Sequence, residues 1–156
     1  MFTADQLIAH AVGDYILQSD WMALEKTKRS LAAAVHALTY TLPFLFLTSS
    51  WAVLAIIAST HFVIDRWRLA RYIVWAKNWL APWEVCDSGM RLAHESCNEK
   101  HRLHQWHRIR PNPPWSECQA TGYPPDRPPW LAVWLLIIAD NILHVTINAL
   151  ALQSGL

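Results

Sequence analysis

The chain has 156 residues, a formal charge of +1, 53% hydrophobic residues and only 16% charged ones. That length supports one domain with a real core, and so small a net charge excludes a general nucleic-acid-binding surface. Charge is sparser than the roughly 25% of soluble domains, and several of the ten tryptophans end apolar runs, where an amphipathic ring can sit at a lipid headgroup. The composition points to an integral membrane protein.

In chain order, Thr3 or Asp5 can cap a first helix over 4–24, with Leu7, Ile8, Val12, Ile16 and Leu17 as its apolar residues. The polar residues His10, Asp14 and Gln18 interrupt it, which a membrane helix tolerates where they face protein. They also argue against a secretory leader. Lys26, Lys28 and Arg29 close this segment with a basic turn. A second helix is expected over 30–48, kinked before Pro43 and carrying His36. A third is expected over 51–76, with His61 and Asp65.

Residues 78–129 form a polar insert, helical at first and then proline-rich. A fourth helix over 130–153 is the strongest membrane segment, broken only by Asp140, Asn141, His144 and Asn148. Cys86, Cys97 and Cys118 are odd in number and irregular in spacing, so they make no disulfide framework.

Positive charge flanks the first turn and fills the insert, which by the positive-inside rule places the insert in the cytoplasm and both termini outside. The expected fold class is therefore all-α: an integral membrane four-helix bundle, in a bacterial inner membrane, with a cytoplasmic insert between helices 3 and 4. At 1.5 Å per residue, His36 lies about 9 Å from the basic start of its helix, and Asp14 and Asp140 roughly 15 Å from their nearest cytoplasmic ends. One polar cluster can then form at a common depth.

Residues i and i+4 share a helix face. His10 with Asp14, His61 with Asp65, and Asp140 with His144 are thus three imidazole–carboxylate pairs, joined by His36. Bare carboxylates are costly in a bilayer, and a divalent metal compensates them better than neutral imidazole does. His10, Asp14, His36, His61, Asp65, Asp140 and His144 are therefore the candidate ligands of one or two Zn or Mn ions. The alternative for any single pair is a helix-packing hydrogen bond, and proton relay is a third use of such residues. Within a metal site, Asp65 is the candidate catalytic base, and Gln18 and Tyr15 are placed to orient substrate. Arg66, Arg68 and Lys77 could meet a lipid phosphate or simply obey the positive-inside rule. In the insert, His94, Cys97, His101 and His104 share a helix face. One straight helix cannot close four ligands tetrahedrally, so a second metal there needs Cys86, His107 or Cys118.

These residues resemble an uncharacterised family of small bacterial and phage membrane proteins, number 3307 among domains of unknown function. The likeness rests on His10, Gly13-Asp14-Tyr15 and Gln18, on His36, on His61 and Asp65, and on Asp140 and His144. It implies a membrane location and a shared polar site, with no established activity. A more distant resemblance, to membrane-bound metal-dependent hydrolases, implies hydrolysis.

The expected function is thus a metal-dependent hydrolase acting on a lipid-linked or phosphate-containing substrate, with membrane lipid as a partner, homo-oligomers allowed and no nucleic acid. The alternative is a non-enzymatic membrane effector or assembly protein, whose insert binds a partner and whose His/Asp cluster is structural. A transporter or proton channel comes third. The sequence names neither the substrate nor the metal.

Overall fold

A computed structural model describes residues 3–80, 83–85, 108–110, 114–125 and 127–154. Six α-helices carry most of them: α1 (Ala4–Ala11), α2 (Asp20–Glu25), α3 (Ser30–Thr41), α4 (Trp51–Trp67), α5 (Ala70–Leu80) and α6 (Pro129–Gln153). Two three-residue strands, β1 (Trp83–Val85) and β2 (Arg108–Arg110), pair antiparallel with Glu84 opposite Ile109. The chain divides into two compact units, Met1–Ala70 with Ile137–Leu156, and Arg71–Leu136.

The all-α character holds, but the membrane four-helix bundle does not. A helix needs about 20 residues to cross a hydrocarbon core. Among the described residues only α6, at 25 residues, is long and apolar enough. The expected multi-pass topology, and with it the cytoplasmic insert and the outward termini, is overturned by this finding.

The breaks have local causes. The first expected helix stops after the eight residues of α1, passes through a π-helical turn at Val12–Ile16, and restarts at Ser19, whose side chain accepts from Met22 N–H. A hydroxyl cap of this kind favours a new helix over continuation. The second expected helix runs as α for 12 residues and tightens into a 3-10 turn at Leu42–Phe46, with Pro43 near its start. The third ends at Arg68, which takes the left-handed conformation (φ 51°). A non-glycine residue there terminates a helix.

In the first unit, Ala9, Tyr40, Phe44, Val53, Leu54, Ile57 and Ala151 pack into an apolar core. His36, His61, His144, Asn148 and Gln6 are buried just as fully. In the second unit, Tyr72 stacks on Trp115 at 4.8 Å and the Arg71 guanidinium lies over both rings. Buried polar side chains on this scale are tolerated only when they have partners: His36 and His61 meet each other, Asn148 donates to Tyr40 and Gln6 to a backbone carbonyl.

Candidate metal centre

The close approach of the π-helical turn to α3 depends on Gly13. A Cβ there would meet Tyr40 Cδ2 at 2.7 Å and the Tyr40 carbonyl oxygen at 2.8 Å, closer than real contacts allow. Within the π-helical turn, Leu17 N–H reaches back five residues to Val12 C=O at 2.9 Å. Such wide turns recur where a helix must re-aim a side chain. Here the side chain is Asp14, which reaches His36 on α3 and His61 on α4.

Four buried side chains converge: Asp14, His36, His61 and Asp65 each offer one ligand atom, all within 4.8 Å of one another. His36 Nε2 is 3.2 Å from Asp14 Oδ1, 3.2 Å from Asp65 Oδ2 and 3.0 Å from His61 Nε2. His61 Nε2 is 3.6 Å from Asp14 Oδ1 and 3.1 Å from Asp65 Oδ2. Asp65, Asp140 and His144 make a second group. His144 Nε2 lies 3.5 Å from Asp65 Oδ1 and 3.5 Å from Asp140 Oδ2.

The donor set fits a divalent ion. Tetrahedral donors about 2.1 Å from a metal are about 3.4 Å from each other; the five separations that involve a histidine run from 3.0 to 3.6 Å, and the two carboxylates lie within 4.8 Å of each other. His36 Nε2 and His61 Nε2 face each other with room for one proton at most, which leaves a lone pair directed into the cluster. His144 Nε2 is buried and makes no hydrogen bond among the described residues. A buried imidazole nitrogen between two carboxylates is satisfied by a proton or by a metal cation.

Electrostatics favour a ligand role for His61, Asp14 and Asp65, whereas His144, against the pull of burial, is raised to about 9 by Asp140 and Asp65. Burial pushes the His61 imidazole down to about 4, although Asp65 and Asp14 pull the other way. It is therefore neutral near pH 7, the form that binds metal. Burial also pulls His36 down, but its hydrogen bonds to Asp14 and Asp65 outweigh this and leave it raised. Burial would raise both carboxyls. For Asp14 the His36 hydrogen bond leads the opposing effects, and for Asp65 the neighbouring His144 imidazole does, so both end below the usual carboxylate range.

The other expected site residues take different places. His10 Nδ1 bonds to the Tyr40 hydroxyl at 2.8 Å and Nε2 to Asn141 Oδ1 at 2.8 Å, so both nitrogens are engaged away from the four-residue group. The sequence pair remains adjacent, with His10 Nδ1 3.7 Å from Asp14 Oδ2. Tyr15 also donates to Asn141 Oδ1, at 2.9 Å. Gln18 Oε1 accepts from Lys26 Nζ at 2.7 Å. Arg66 is committed to the turn before α3, donating to Thr27 C=O at 2.8 Å and Ser30 Oγ at 3.2 Å. Lys77 Nζ lies over the Tyr123 ring, in the second unit. His94, Cys97, His101 and His104, with Cys86 and His107, lie outside the described residues.

Three contributors escaped the sequence. Lys26 read as ordinary basic flanking charge, yet its ammonium is 2.9 Å from Asp65 Oδ2 and 3.2 Å from His36 Nε2. Tyr40 is fully buried, stacks on His61 at 3.6 Å, and accepts from Asn148 Nδ2 at 2.6 Å. Gln6 donates to Val145 C=O at 2.6 Å and ties α1 to α6. His36-x-x-x-Tyr40, on the face that also carries the ligand, was the one signal available for Tyr40.

No curated protein and no solved structure matches the chain. A family model described as a protein of unknown function (DUF3307) matches residues 2–87, a span that holds Asp14, His36, His61 and Asp65 but not Asp140 or His144. With more than half its length covered, and with the four converging ligands inside the match, the chain belongs to the DUF3307 family.

Proposed function

We propose that the protein is a divalent-metal-dependent hydrolase acting on a lipid-linked or phosphate-containing substrate. The observation that carries this reading is the convergence of Asp14, His36, His61 and Asp65 at separations suited to metal ligation. A bound divalent ion supplies Lewis acidity, which lowers the pKa of a coordinated water toward neutrality. Imidazole and carboxylate donors suit Zn and Mn alike.

Each residue then has a task. Asp14, His36 and His61 would hold one ion together with Asp65. Asp65 turns Oδ2 to that group and Oδ1 to His144, so it suits a bridging carboxylate better than a free base. Asp140, with its side chain 29% exposed beside buried His144, is the carboxylate that solvent reaches: with one ion bound it would take the proton of the attacking water, and with a second ion bound it would be a ligand of that ion. Tyr40 fixes the His61 ring by stacking, while Gln18 orients Lys26. Exposed Leu31, Leu38, Phe46, Ile138 and Ile142 give the first unit apolar surface, which supports a substrate with a lipid portion.

Metal analysis of the purified protein tests the reading. Wild type should carry one or two equivalents of Zn or Mn, and Asp14→Ala should lose them. A folded wild type that takes up neither ion overturns it. The second reading, a non-enzymatic effector with a structural cluster, is favoured by the Lys26–Asp65 ion pair, which balances that carboxylate without any metal. It expects metal-independent function and tolerance of Asp14→Asn.

A further inference from the structure

Lys26 lies where a flanking basic residue has no reason to be. Its side chain is 18% exposed, and its ammonium touches Gln18 Oε1 at 2.7 Å, Asp65 Oδ2 at 2.9 Å and His36 Nε2 at 3.2 Å. The last two atoms belong to the metal-binding group. An ammonium and a divalent ion cannot share Asp65 Oδ2 and His36 Nε2 at close range, because like charges in a buried site repel strongly.

We propose that Lys26 is an exchangeable internal cation of this site: its ammonium competes with the divalent ion for Asp65 and His36, and, once displaced, binds an anionic phosphate oxygen of the substrate. This inference rests on the metal-centre reading above. Charge counting supports the second half. Asp14 and Asp65 neutralise one dication, so the nearby ammonium leaves an excess of +1. With a second dication and Asp140, the total is +4 +1 −3, or +2. A site with surplus positive charge and a flexible ammonium at its edge is complementary to a phosphate group. The Gln18 amide oxygen is neutral, so it holds Lys26 nearby without cancelling its charge.

Lysine suits this exchange better than arginine. Its ammonium is a compact, strongly hydrated charge on a four-carbon stem, whereas guanidinium binds a carboxylate as a rigid fork. Lys26 also sits at the C-terminal cap of α2, where its backbone N–H bonds to Met22 C=O. The backbone can thus stay in place while the side chain swings.

Calorimetric titration with Mn, followed by titration of the Mn-loaded protein with inorganic phosphate, tests the proposal on wild type, Lys26→Met and Lys26→Gln. Lys26→Gln retains a hydrogen-bond donor, and so guards against a variant that fails only because Asp65 is left unpaired. Both variants should bind Mn at least about tenfold more tightly than wild type, a difference of about 1.4 kcal/mol. Their Mn-loaded forms should bind phosphate at least about tenfold more weakly. If folded variants bind Mn no more tightly than a metal-binding wild type, competition is overturned. Unchanged phosphate affinity overturns the substrate role. If neither wild type nor variants bind Mn or Zn, the metal centre itself fails, a result distinct from either of the others.

Discussion

Around Asp65 Oδ2 stand two histidine nitrogens and an ammonium, whereas Oδ1 faces His144, with Asp140 beyond it. The first environment is closed: Asp14, His36, His61 and Asp65 are all buried, and their charge is balanced from within. The second is open, because the Asp140 side chain reaches solvent. Buried charge demands a partner built into the fold, while a carboxylate at the edge can rely on water. An ion in the closed group should therefore be held tightly, and one in the open group should exchange.

The most disruptive way to break this contrast is Asp65→Ala, since it removes the shared carboxylate. Metal content should fall at both positions. Metal-depleted protein should lose about 3–5 kcal/mol of stability, because the Lys26 charge is left uncompensated. Denaturant titration beside metal analysis checks this, and two retained equivalents would refute the shared-carboxylate arrangement.

Gly13→Ala attacks only the closed group. Its methyl would press on Tyr40, so a loss of about 1–3 kcal/mol is expected, with weaker binding of the tighter ion. A melting curve unchanged from wild type would show that the π-helical turn can move away at no cost. Asp140→Asn attacks only the open group, and should weaken the second equivalent roughly 10–100-fold while the first stays put. Equal weakening of both equivalents in a two-step titration would erase the distinction.

The smallest effect is in pH. In EDTA-treated protein, His36 is raised, so its contribution is complete below about 6.5 and fades as pH climbs through its folded value. His61, lowered to about 4, acts in reverse: the unfolded chain takes its proton near 6.5 and the folded one resists, so stability falls as pH drops from there toward 4. Below about 3.9 the depressed Asp14 and Asp65 extend the acid loss. The melting temperature should therefore peak near pH 6.5 and fall on either side, at no more than about 1.4 kcal/mol per unit for each group. A monotonic rise to pH 8 would contradict the assignment.

The meeting of buried histidines and aspartates from separate helices was legible in the sequence, because polar residues at i and i+4 in apolar runs need one another. Helix continuity was not. Hydropathy registers apolar content, and it passed over Gly13, the Ser19 cap and Arg68, the positions at which the chain turns. The same averaging hid Lys26: charge beside an apolar run looks like an interface marker whether it faces water or folds back onto a carboxylate. Tyr40 was hidden for the opposite reason, as an aromatic among apolar neighbours until its hydroxyl is seen between His10 and Asn148.

The π-helical turn at Val12–Ile16 contains one residue more than an ordinary helical turn would use. Deleting a single residue from it would restore regular winding and leave α1 nearly in phase, but would re-aim the side chains within the turn, Asp14 among them. The motif is thus a matter of aim as well as of composition. Chains with the same histidine and aspartate but one residue fewer between Val12 and Leu17 would spell the site and fail to build it.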